Sequence, residues 1–331
     1  MSVREAIVAV TLRCNSRCTM CDIWENEGGE EVEPSYYYHL PRSLHQVNLT
    51  GGEATLREDL PEIVRVIAER CPDARIVLST HGFHTKRLTE MVPRMREAAK
   101  RLAVRVSIDG IGETHDTLRG IKGAYKKCME TLDAMRRVGI RDLGVGFTLM
   151  RGNEDELIRV YDMALANRWE FASTVVHSSP IFFGEQQGMT PDPEKARAAF
   201  AELRKRQVKS RRPKDWFRAW FTDGVVDLVS GHQRRIDCTA LERFFYLDPR
   251  GMVYTCHILD EPVGYLHEGY DNLPPRAPRK NRPRQKLHRT LLDDLHRRPH
   301  YAPESPPSDR LGGEAQARSR RLKLKPLAPN A

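Results

Sequence analysis

An alternation of strand-like and helix-like segments between Ala6 and His177 is the feature that most constrains the fold. Short apolar, β-branched runs, such as residues 6–12 and 75–80, alternate with stretches of helical periodicity, such as residues 59–70. About six such units follow one another, and this order is typical of a parallel sheet with right-handed helical crossovers. Six units fall short of the eight of a closed barrel. The sequence therefore predicts an α/β fold, a partial (βα)6 TIM-like barrel with its chemistry at the carboxyl ends of the strands.

The pattern changes after residue 185. Two helical stretches, 193–207 and 216–229, precede two strand-like runs around a Pro/Gly turn, which indicates a hairpin. We predict three parts: the barrel at 1–185, a small α+β appendage at 186–270, and a Pro-rich basic tail at 271–331. The tail holds 15 of the 54 Lys and Arg residues and 10 of the 21 prolines, so it can bury little and is expected to be disordered.

Composition limits the compartment and the partners. The seven cysteines are an odd number, and the chain shows neither a secretory signal nor an apolar run of the ~20 residues that a membrane span needs. We therefore expect a cytoplasmic chain with no membrane partner, whose thiols serve metal binding or catalysis. The net charge of +9 arises from the tail, which lacks the aromatic residues of a nucleic-acid site, so RNA binding is disfavoured.

Three cysteines follow the first predicted strand on one short loop: Cys14, Cys18 and Cys21. A [4Fe–4S] cluster has four iron corners and is normally held by four thiolates. Three cysteines on one short loop can hold three corners and leave the fourth iron open to another ligand. A zinc site with an outside fourth ligand and three unrelated buried cysteines are the alternatives. The spacing and the reducing compartment favour the cluster.

The C-x3-C-x2-C loop resembles that of the radical S-adenosylmethionine (radical SAM) enzymes. Further matches follow in order at the predicted strand ends. They are Met20 inside the loop, Gly51-Gly52-Glu53, Ser79-Thr80-His81-Gly82, and Ser107-Ile108-Asp109-Gly110 with His115-Asp116 and Arg119-Gly120 after it. The last run is similar to that of the branch with a SPASM or twitch domain.

The resemblance implies S-adenosylmethionine as a cofactor, chelating the open iron of the cluster. It assigns cofactor contacts to nine residues: Met20, Gly51, Gly52, Glu53, Ser79, Thr80, Ser107, Asp109 and Arg119. Gly51 and Gly52 would allow close approach to the methionyl group, and Glu53 would accept a hydrogen bond from its ammonium. The implied reaction is reductive cleavage to methionine and a 5′-deoxyadenosyl radical, which removes hydrogen from a substrate.

The sequence leaves the substrate open, and it leaves alternative functions open. A small natural-product or cofactor precursor is favoured, since Cys14 lies close to Met1 and peptide maturases of this family often carry a leader-binding module before their cysteines. A ribosomal-peptide maturase and an RNA-modifying enzyme are the alternatives, and a non-catalytic iron–sulfur or zinc electron-transfer protein is the alternative of another class. The enzyme would need a one-electron donor of the flavodoxin or ferredoxin type.

Three weaker signals lie outside these motifs. Cys238 and Cys256 flank the predicted hairpin and resemble the start of a SPASM domain, which implies a second iron–sulfur cluster; two buried, unligated cysteines are the alternative. His177 ends the sixth strand as a candidate catalytic or substrate contact, or as a core histidine. The aromatic stripe of α-helical spacing at residues 216–221 is predicted to pack the appendage on the barrel.

Overall fold

The computed structural model describes residues 3–26, 28–179, 181–182, 184, 188–229, 232 and 238–274, and all of them belong to one compact unit. Within this part of the chain nine strands form one sheet, in the order β6-β5-β4-β3-β2-β1-β7-β8-β9. Their bounds are β1 Glu5–Ala9, β2 Gln46–Thr50, β3 Arg75–Thr80, β4 Leu102–Ser107, β5 Asp142–Leu149, β6 Glu170–Val175, β7 Phe244–Leu247, β8 Met252–Tyr254 and β9 Pro262–Tyr265.

Seven α-helices accompany the sheet in the described chain: α1 Leu60–Arg70, α2 Thr85–Ala98, α3 Glu113–Arg119, α4 Ala124–Arg137, α5 Glu156–Ala166, α6 Pro193–Lys209 and α7 Pro213–Val229. The apolar faces of α1, α2, α4 and α5 are buried in the main core. In α1, Leu60, Ile63, Val64 and Ile67 recur at helical spacing and are fully buried. The short helix α3 was not predicted. It ends at Gly120, which adopts the left-handed conformation that glycine tolerates best.

The six predicted strands form a parallel sheet that does not close into a barrel, which confirms the predicted fold class. The sheet also contains a seventh parallel strand. β7 pairs with β1, placing Phe244 beside Glu5, and only then turns into the predicted antiparallel hairpin with β8. The appendage is therefore continuous with the barrel sheet, and the boundary at residue 185 stays a prediction.

The two faces of the sheet differ in polarity. On β2, Val47 and Leu49 are fully buried in the main core, which lies between the sheet and its helices. The alternate residues Gln46, Asn48 and Thr50 line a cavity on the concave face. Because successive strand residues point to opposite faces, a polar interior runs along the barrel toward the carboxyl ends of the strands.

The prediction for the aromatic stripe was wrong. Trp216, Phe217, Trp220 and Phe221 are each 44–61% exposed. Helix α7 instead buries its other face, where the Thr222 hydroxyl donates to the Gln207 side chain of α6. Residues 275–331, including most of the predicted tail, lie outside the described residues. Nowhere in the described part of the chain is a helix both long and apolar enough to span a membrane.

Candidate active site

A cavity of about 210 Å³ opens at the carboxyl ends of the strands, and we call it the cysteine cavity. Eleven of the fifteen residues predicted for the site line it: Cys14, Cys18, Met20, Cys21, Gly51, Gly52, Ser79, Thr80, Ser107, Arg119 and His177. Motifs that are spread along the sequence from Cys14 to His177 thus meet in one place. Glu53, Asp109, Cys238 and Cys256 are not among its lining residues.

The cysteine loop, residues 14–21, is held by the end of α3. The backbone N–H of Thr19 donates to the Leu118 carbonyl at 2.9 Å, and the Ser16 hydroxyl donates to the Arg119 carbonyl at 3.1 Å. A Cβ on Gly120 would stand 2.3 Å from the Arg17 carbonyl oxygen. Glycine is therefore required where the loop and the helix end meet.

The three thiols of the cysteine loop are partly buried in the cysteine cavity. Burial raises the pKa of Cys14 to about 11 and that of Cys21 to about 12, so both stay protonated at neutral pH unless a cation binds them. All three thiols line one cavity. In the described chain, however, no three His, Cys, Asp or Glu side chains converge as they would around a single metal ion.

The Gly51-Gly52-Glu53 turn is joined to the entry of the cysteine loop. The N–H of Gly52 donates to the Thr11 carbonyl at 2.9 Å, and the N–H of Glu53 donates to the Arg13 carbonyl at 2.8 Å. A Cβ on Gly51 would stand 2.2 Å from the Thr11 oxygen, and one on Gly52 would stand 2.2 Å from the Arg13 oxygen. Both glycines thus permit two backbones to approach each other, in addition to lining the cavity.

Glu53 is 1% exposed and lies behind the cavity wall. Its Oε1 accepts hydrogen bonds from the hydroxyls of Thr55 at 2.6 Å and Thr80 at 2.8 Å, while its Oε2 accepts from the His81 N–H at 2.8 Å. Burial opposes ionisation, yet the pKa of Glu53 is lowered, because the hydrogen bonds from Thr55, Thr80 and the His81 backbone favour the carboxylate. Glu53 joins the ends of β2 and β3, and its contact with a bound ammonium stays a prediction.

His81 links the end of β3 to the cysteine loop. The Phe83 N–H donates to His81 Nδ1 at 3.0 Å, so the ring proton lies on Nε2, which donates to Asn15 Oδ1 at 2.8 Å. The Asn15 amide in turn donates to His84 Nε2 at 2.7 Å. Burial lowers the pKa of His81 to about 4, so the ring is neutral at pH 7. The family motif often has asparagine where this chain has His81, and sequence reasoning did not predict the contact with Asn15.

We expect His81→Ala to loosen the cysteine loop without unfolding the chain. The variant loses the Asn15 contact and leaves a small buried space, at a cost of about 2–3 kcal/mol. Reconstituted protein should then release iron to a chelator several-fold faster than the wild type, as followed by absorbance. His39→Ala, at an exposed histidine, is the matched control. Equal release rates in all three proteins would contradict a loop-holding role for His81.

Asp109 and Arg119 form a buried ion pair beside the loop. Asp109 is fully buried, its Oδ1 accepts from the Thr148 N–H at 2.8 Å, and its Oδ2 lies 2.5 Å from Arg119 Nη2. Arg119 Nη1 lies 3.7 Å from the Cys18 sulfur. Burial disfavours the charged guanidinium, but Asp109 and Cys18 outweigh it and raise the pKa of Arg119. A permanent positive charge therefore stands at the cavity wall.

Asn153 supports Asp109 and was missed by sequence reasoning. Its amide donates to the carbonyls of Asp109 and Thr148, both at 2.9 Å, and its Oδ1 accepts from the Met150 N–H at 2.8 Å. His115 accepts from the Asp109 N–H at 3.1 Å through Nδ1. The ends of β4 and β5 are thus fixed to each other. No motif pointed to Asn153, because its role depends on a backbone turn that folding brings together.

His177 lines the cavity at the end of β6. Its Nδ1 lies 3.1 Å from the Val175 carbonyl, and its Nε2 lies 3.2 Å from Nε2 of His257. Burial lowers the pKa of His177 and brings that of His257 to about 4, so both rings are neutral at pH 7. A catalytic role for His177 stays a prediction.

The two remaining cysteines of the predicted set lie elsewhere. Cys256 is buried, with 8% of its surface exposed, and Cys238 is partly exposed. Burial raises the pKa of Cys256, and Cys238 is near enough to raise it further. A second cluster at this pair stays a prediction.

The cysteine cavity fits a cluster and an anionic ligand beside it. Three thiols line it, and Nε of Arg119 is buried without a hydrogen-bond partner among the described residues. A buried donor of this kind usually finds an acceptor. A carboxylate bound near the loop would supply one.

Comparison with known proteins agrees with this geometry. Residues 8–164 match the family model of the Radical SAM superfamily. The chain is 35% identical to Fe-coproporphyrin III synthase of Methanosarcina barkeri over 46% of its own length and 39% of that protein. It is 28% identical to GTP 3′,8-cyclase of Tolumonas auensis over 45% of its length and 46% of the relative. The chain thus spans less than half the length of these curated relatives.

The fold is also found among solved structures. The crystal structure of anSMEcpe with bound AdoMet and Kp18Cys peptide covers 80% of this chain and 78% of its own, with a TM-score of 0.57 and 15% identity. Streptococcus suis SuiB bound to S-adenosylmethionine covers 77% of this chain and 60% of its own, with a TM-score of 0.57 and 13% identity. Residues 8–164 of this chain thus match the radical SAM superfamily, and the relatives and the shared fold agree with that match.

Proposed function

We propose that this protein is a radical SAM enzyme that abstracts hydrogen from a small substrate held inside its partial barrel. The observation that supports it most is the cysteine cavity, where three thiols meet the carboxyl ends of five further strands. A non-catalytic electron carrier would need the thiols and the residues that hold their loop. It would not need Ser79, Ser107 and His177, which line the same cavity.

The protein's own residues hold and orient the reacting groups. Cys14, Cys18 and Cys21 would ligate three irons of a [4Fe–4S] cluster, and Arg119 would face the carboxylate of S-adenosylmethionine. When bound, the cluster would supply the one electron needed for reductive cleavage of S-adenosylmethionine to methionine and a 5′-deoxyadenosyl radical, and that radical would take a hydrogen atom from the substrate. The buried wall around Glu53 keeps the loop in place and excludes water.

A small molecule is the substrate class that we favour. The barrel interior contains a second cavity of about 460 Å³, which shares Thr50 and Ser79 with the cysteine cavity. That volume suits a small ligand. The names of two relatives, Fe-coproporphyrin III synthase and GTP 3′,8-cyclase, also point to small molecules. A peptide is the alternative, since anSMEcpe was solved with one. An RNA substrate would need the basic tail.

The reaction also needs a source of electrons. We propose a one-electron donor of the flavodoxin or ferredoxin type and a cytoplasmic location, because a [4Fe–4S] cluster and seven cysteines suit a reducing compartment. Deleting residues 271–331 should leave turnover unchanged. Loss of turnover on deletion would favour the RNA alternative.

The first test is formation of 5′-deoxyadenosine. Protein reconstituted anaerobically with iron and sulfide, then reduced and given S-adenosylmethionine, should form 5′-deoxyadenosine detectable by mass spectrometry. Methionine should appear in equal amount. An intact, reducible cluster that never yields the nucleoside, with or without cell-derived small molecules, would favour the electron-carrier alternative.

Iron content tests the second cluster. Cys238 and Cys256 supply two thiols, whereas a [4Fe–4S] cluster is normally held by four. We therefore expect about four irons per reconstituted chain, and the same content in a Cys238→Ala/Cys256→Ala variant. About eight irons in the wild type, falling to four in that variant, would establish a second cluster instead.

A further inference from the structure

The second cavity, which we call the lumen cavity, is lined by positive charge. Arg75 of β3, Arg105 of β4, and Lys214 and Arg218 of α7 all contribute to its wall, and no acidic side chain does among the described residues. The barrel strands supply two of these cations. Helix α7 supplies the other two, where its N-terminal half meets the barrel interior.

The cations of the strands share a single carboxylate. Asp142 lies 2.6 Å from Arg75 Nε and 2.5 Å from Arg105 Nη2. The Nη1 of Arg75 also donates to the Gln46 side chain at 2.9 Å. One carboxylate thus faces two guanidinium groups, and a unit of positive charge stays unbalanced.

The cations of α7 are arranged in the same way. Glu170 pairs with Lys214 at 2.9 Å, with Arg212 at 2.7 Å, and with Arg218. Asp215 lies 3.4 Å from Arg218 Nη1 and 4.0 Å from Arg212 Nε. Arg212 is not among the residues that line the lumen cavity. Among the described residues, the four lining cations therefore face three carboxylates, Asp142, Glu170 and Asp215, which leaves one positive charge in excess.

This excess charge matters because the cavity is concave. Field lines concentrate in a cleft with low-dielectric walls, so one unbalanced positive charge attracts an anion more strongly there than on a flat surface. Arginine also offers paired N–H donors that match the oxygens of a carboxylate or a phosphate. Three of the four lining cations are arginines.

Gly146 keeps space in the same cavity. It lines the lumen on β5, and a Cβ added there would meet nothing within 4 Å. Its φ lies outside the left-handed region, so the backbone does not require glycine. The missing side chain therefore leaves room for something other than protein atoms.

We propose that the lumen cavity binds the substrate through an anionic group, a carboxylate or a phosphate, held by Arg75, Arg105 and Arg218. This inference rests on the proposed function, since it names the chemical class of that enzyme's substrate. The anionic group lies in the barrel interior. The rest of the molecule extends past Thr50 and Ser79 toward the cysteine cavity, where hydrogen abstraction would take place.

Anion binding to the full-length, cluster-loaded protein tests the inference. Tricarballylate and glucose 6-phosphate are titrated by calorimetry at low salt, with glucose as the neutral probe. We expect one or both anions to bind, and glucose not to. Arg218→Gln should weaken binding at least about tenfold, because it removes a charge-assisted contact. This variant leaves Glu170 paired with Lys214 and Arg212, so it should fold.

Two further variants test whether anion binding depends on the lumen cavity or only on the net charge of the protein. Gly146→Leu keeps every charge but fills the cavity, and it should weaken binding to a similar degree. Arg65→Gln removes one charge from the exposed face of α1, and it should bind as the wild type does. Binding to one probe alone identifies the anionic group as a carboxylate or a phosphate.

Equal affinity for the anions in all four proteins would overturn the inference. Failure of both tricarballylate and glucose 6-phosphate to bind would also overturn it. Formation of 5′-deoxyadenosine by the same preparations keeps the two proposals apart. A protein that cleaves S-adenosylmethionine but shows no Gly146-dependent anion binding refutes the anionic substrate alone. Gly146-dependent binding in a protein that cannot cleave S-adenosylmethionine refutes the proposed reaction alone.

Discussion

Cys18→Ala is expected to yield a folded protein without a stable [4Fe–4S] cluster and without measurable 5′-deoxyadenosine formation. Cys18 is partly exposed, and its sulfur contacts the Ser16 hydroxyl at 3.0 Å and Arg119 at 3.7 Å. Losing these contacts should lower the free energy of unfolding by only about 1 kcal/mol. Losing one of three thiolate ligands removes an iron corner. We therefore expect the nucleoside to fall at least about 100-fold, since electron transfer to the cofactor requires the cluster.

Cys71→Ala is the matched control for this variant. Cys71 is 1% exposed at the end of α1, far from the cysteine loop in sequence, and its thiol donates to the Pro41 carbonyl at 3.3 Å. Its loss should lower stability by about 1–2 kcal/mol and leave iron content unchanged. Iron, visible absorbance and the thermal midpoint are measured on both variants. If Cys18→Ala retained a full cluster, the assignment of the loop as its binding site would fail.

The parallel strands and their end motifs were predictable because both are local features. Each strand is a short apolar run, and each motif follows its run directly, so the topology of a parallel sheet brings the motifs to one edge. The family resemblance supplied most of the fifteen predicted residues, and eleven of them line one cavity. This prediction required no knowledge of how any side chain is oriented.

The pairing of β7 with β1 was not predictable in the same way. Residues 244–247 form an apolar run, and such a run is equally compatible with a strand of a hairpin and with a strand of a parallel sheet. Its partner, β1, is the first strand of the chain, so nothing local to the run indicates the pairing. The prediction for the aromatic stripe on α7 was wrong for a related reason. Periodicity shows that the aromatic residues share one face of the helix, but it does not show which face a neighbouring helix covers.

Glu53 and Asp109, which do not line the cavity, show a third limit of predicting a site from sequence motifs. Glu53 and Asp109 were expected to touch the cofactor, and the structure surrounds both with protein donors. A motif shows that a carboxylate is needed at a strand end. It does not show whether that carboxylate contacts a ligand or holds the residues that do, and only variants can separate these roles.

Gly52→Ala is the second change with a large expected effect. Its Cβ would stand 2.2 Å from the carbonyl oxygen of Arg13 and 2.7 Å from that of Leu12. Both are backbone atoms, so no side-chain rotation relieves the overlap. The turn after β2 must move away from the cysteine loop, and the bond from the Glu53 N–H to Arg13 is strained or lost. We expect a loss of about 3 kcal/mol, or roughly 5–10 °C in thermal midpoint, and poor cluster retention.

Gly29→Ala is the control, because a Cβ at Gly29 meets nothing within 4 Å. It should match the wild type in thermal midpoint, iron content and nucleoside formation. The comparison also decides between two roles for Gly52. If Gly52→Ala keeps its thermal midpoint and its iron but binds S-adenosylmethionine weakly, the glycine serves the approach of the cofactor, as the family resemblance implies. If stability and iron fall together before any cofactor is added, the glycine is needed for the contact between the two backbones, and its effect on the cofactor follows from the position of the cysteine loop.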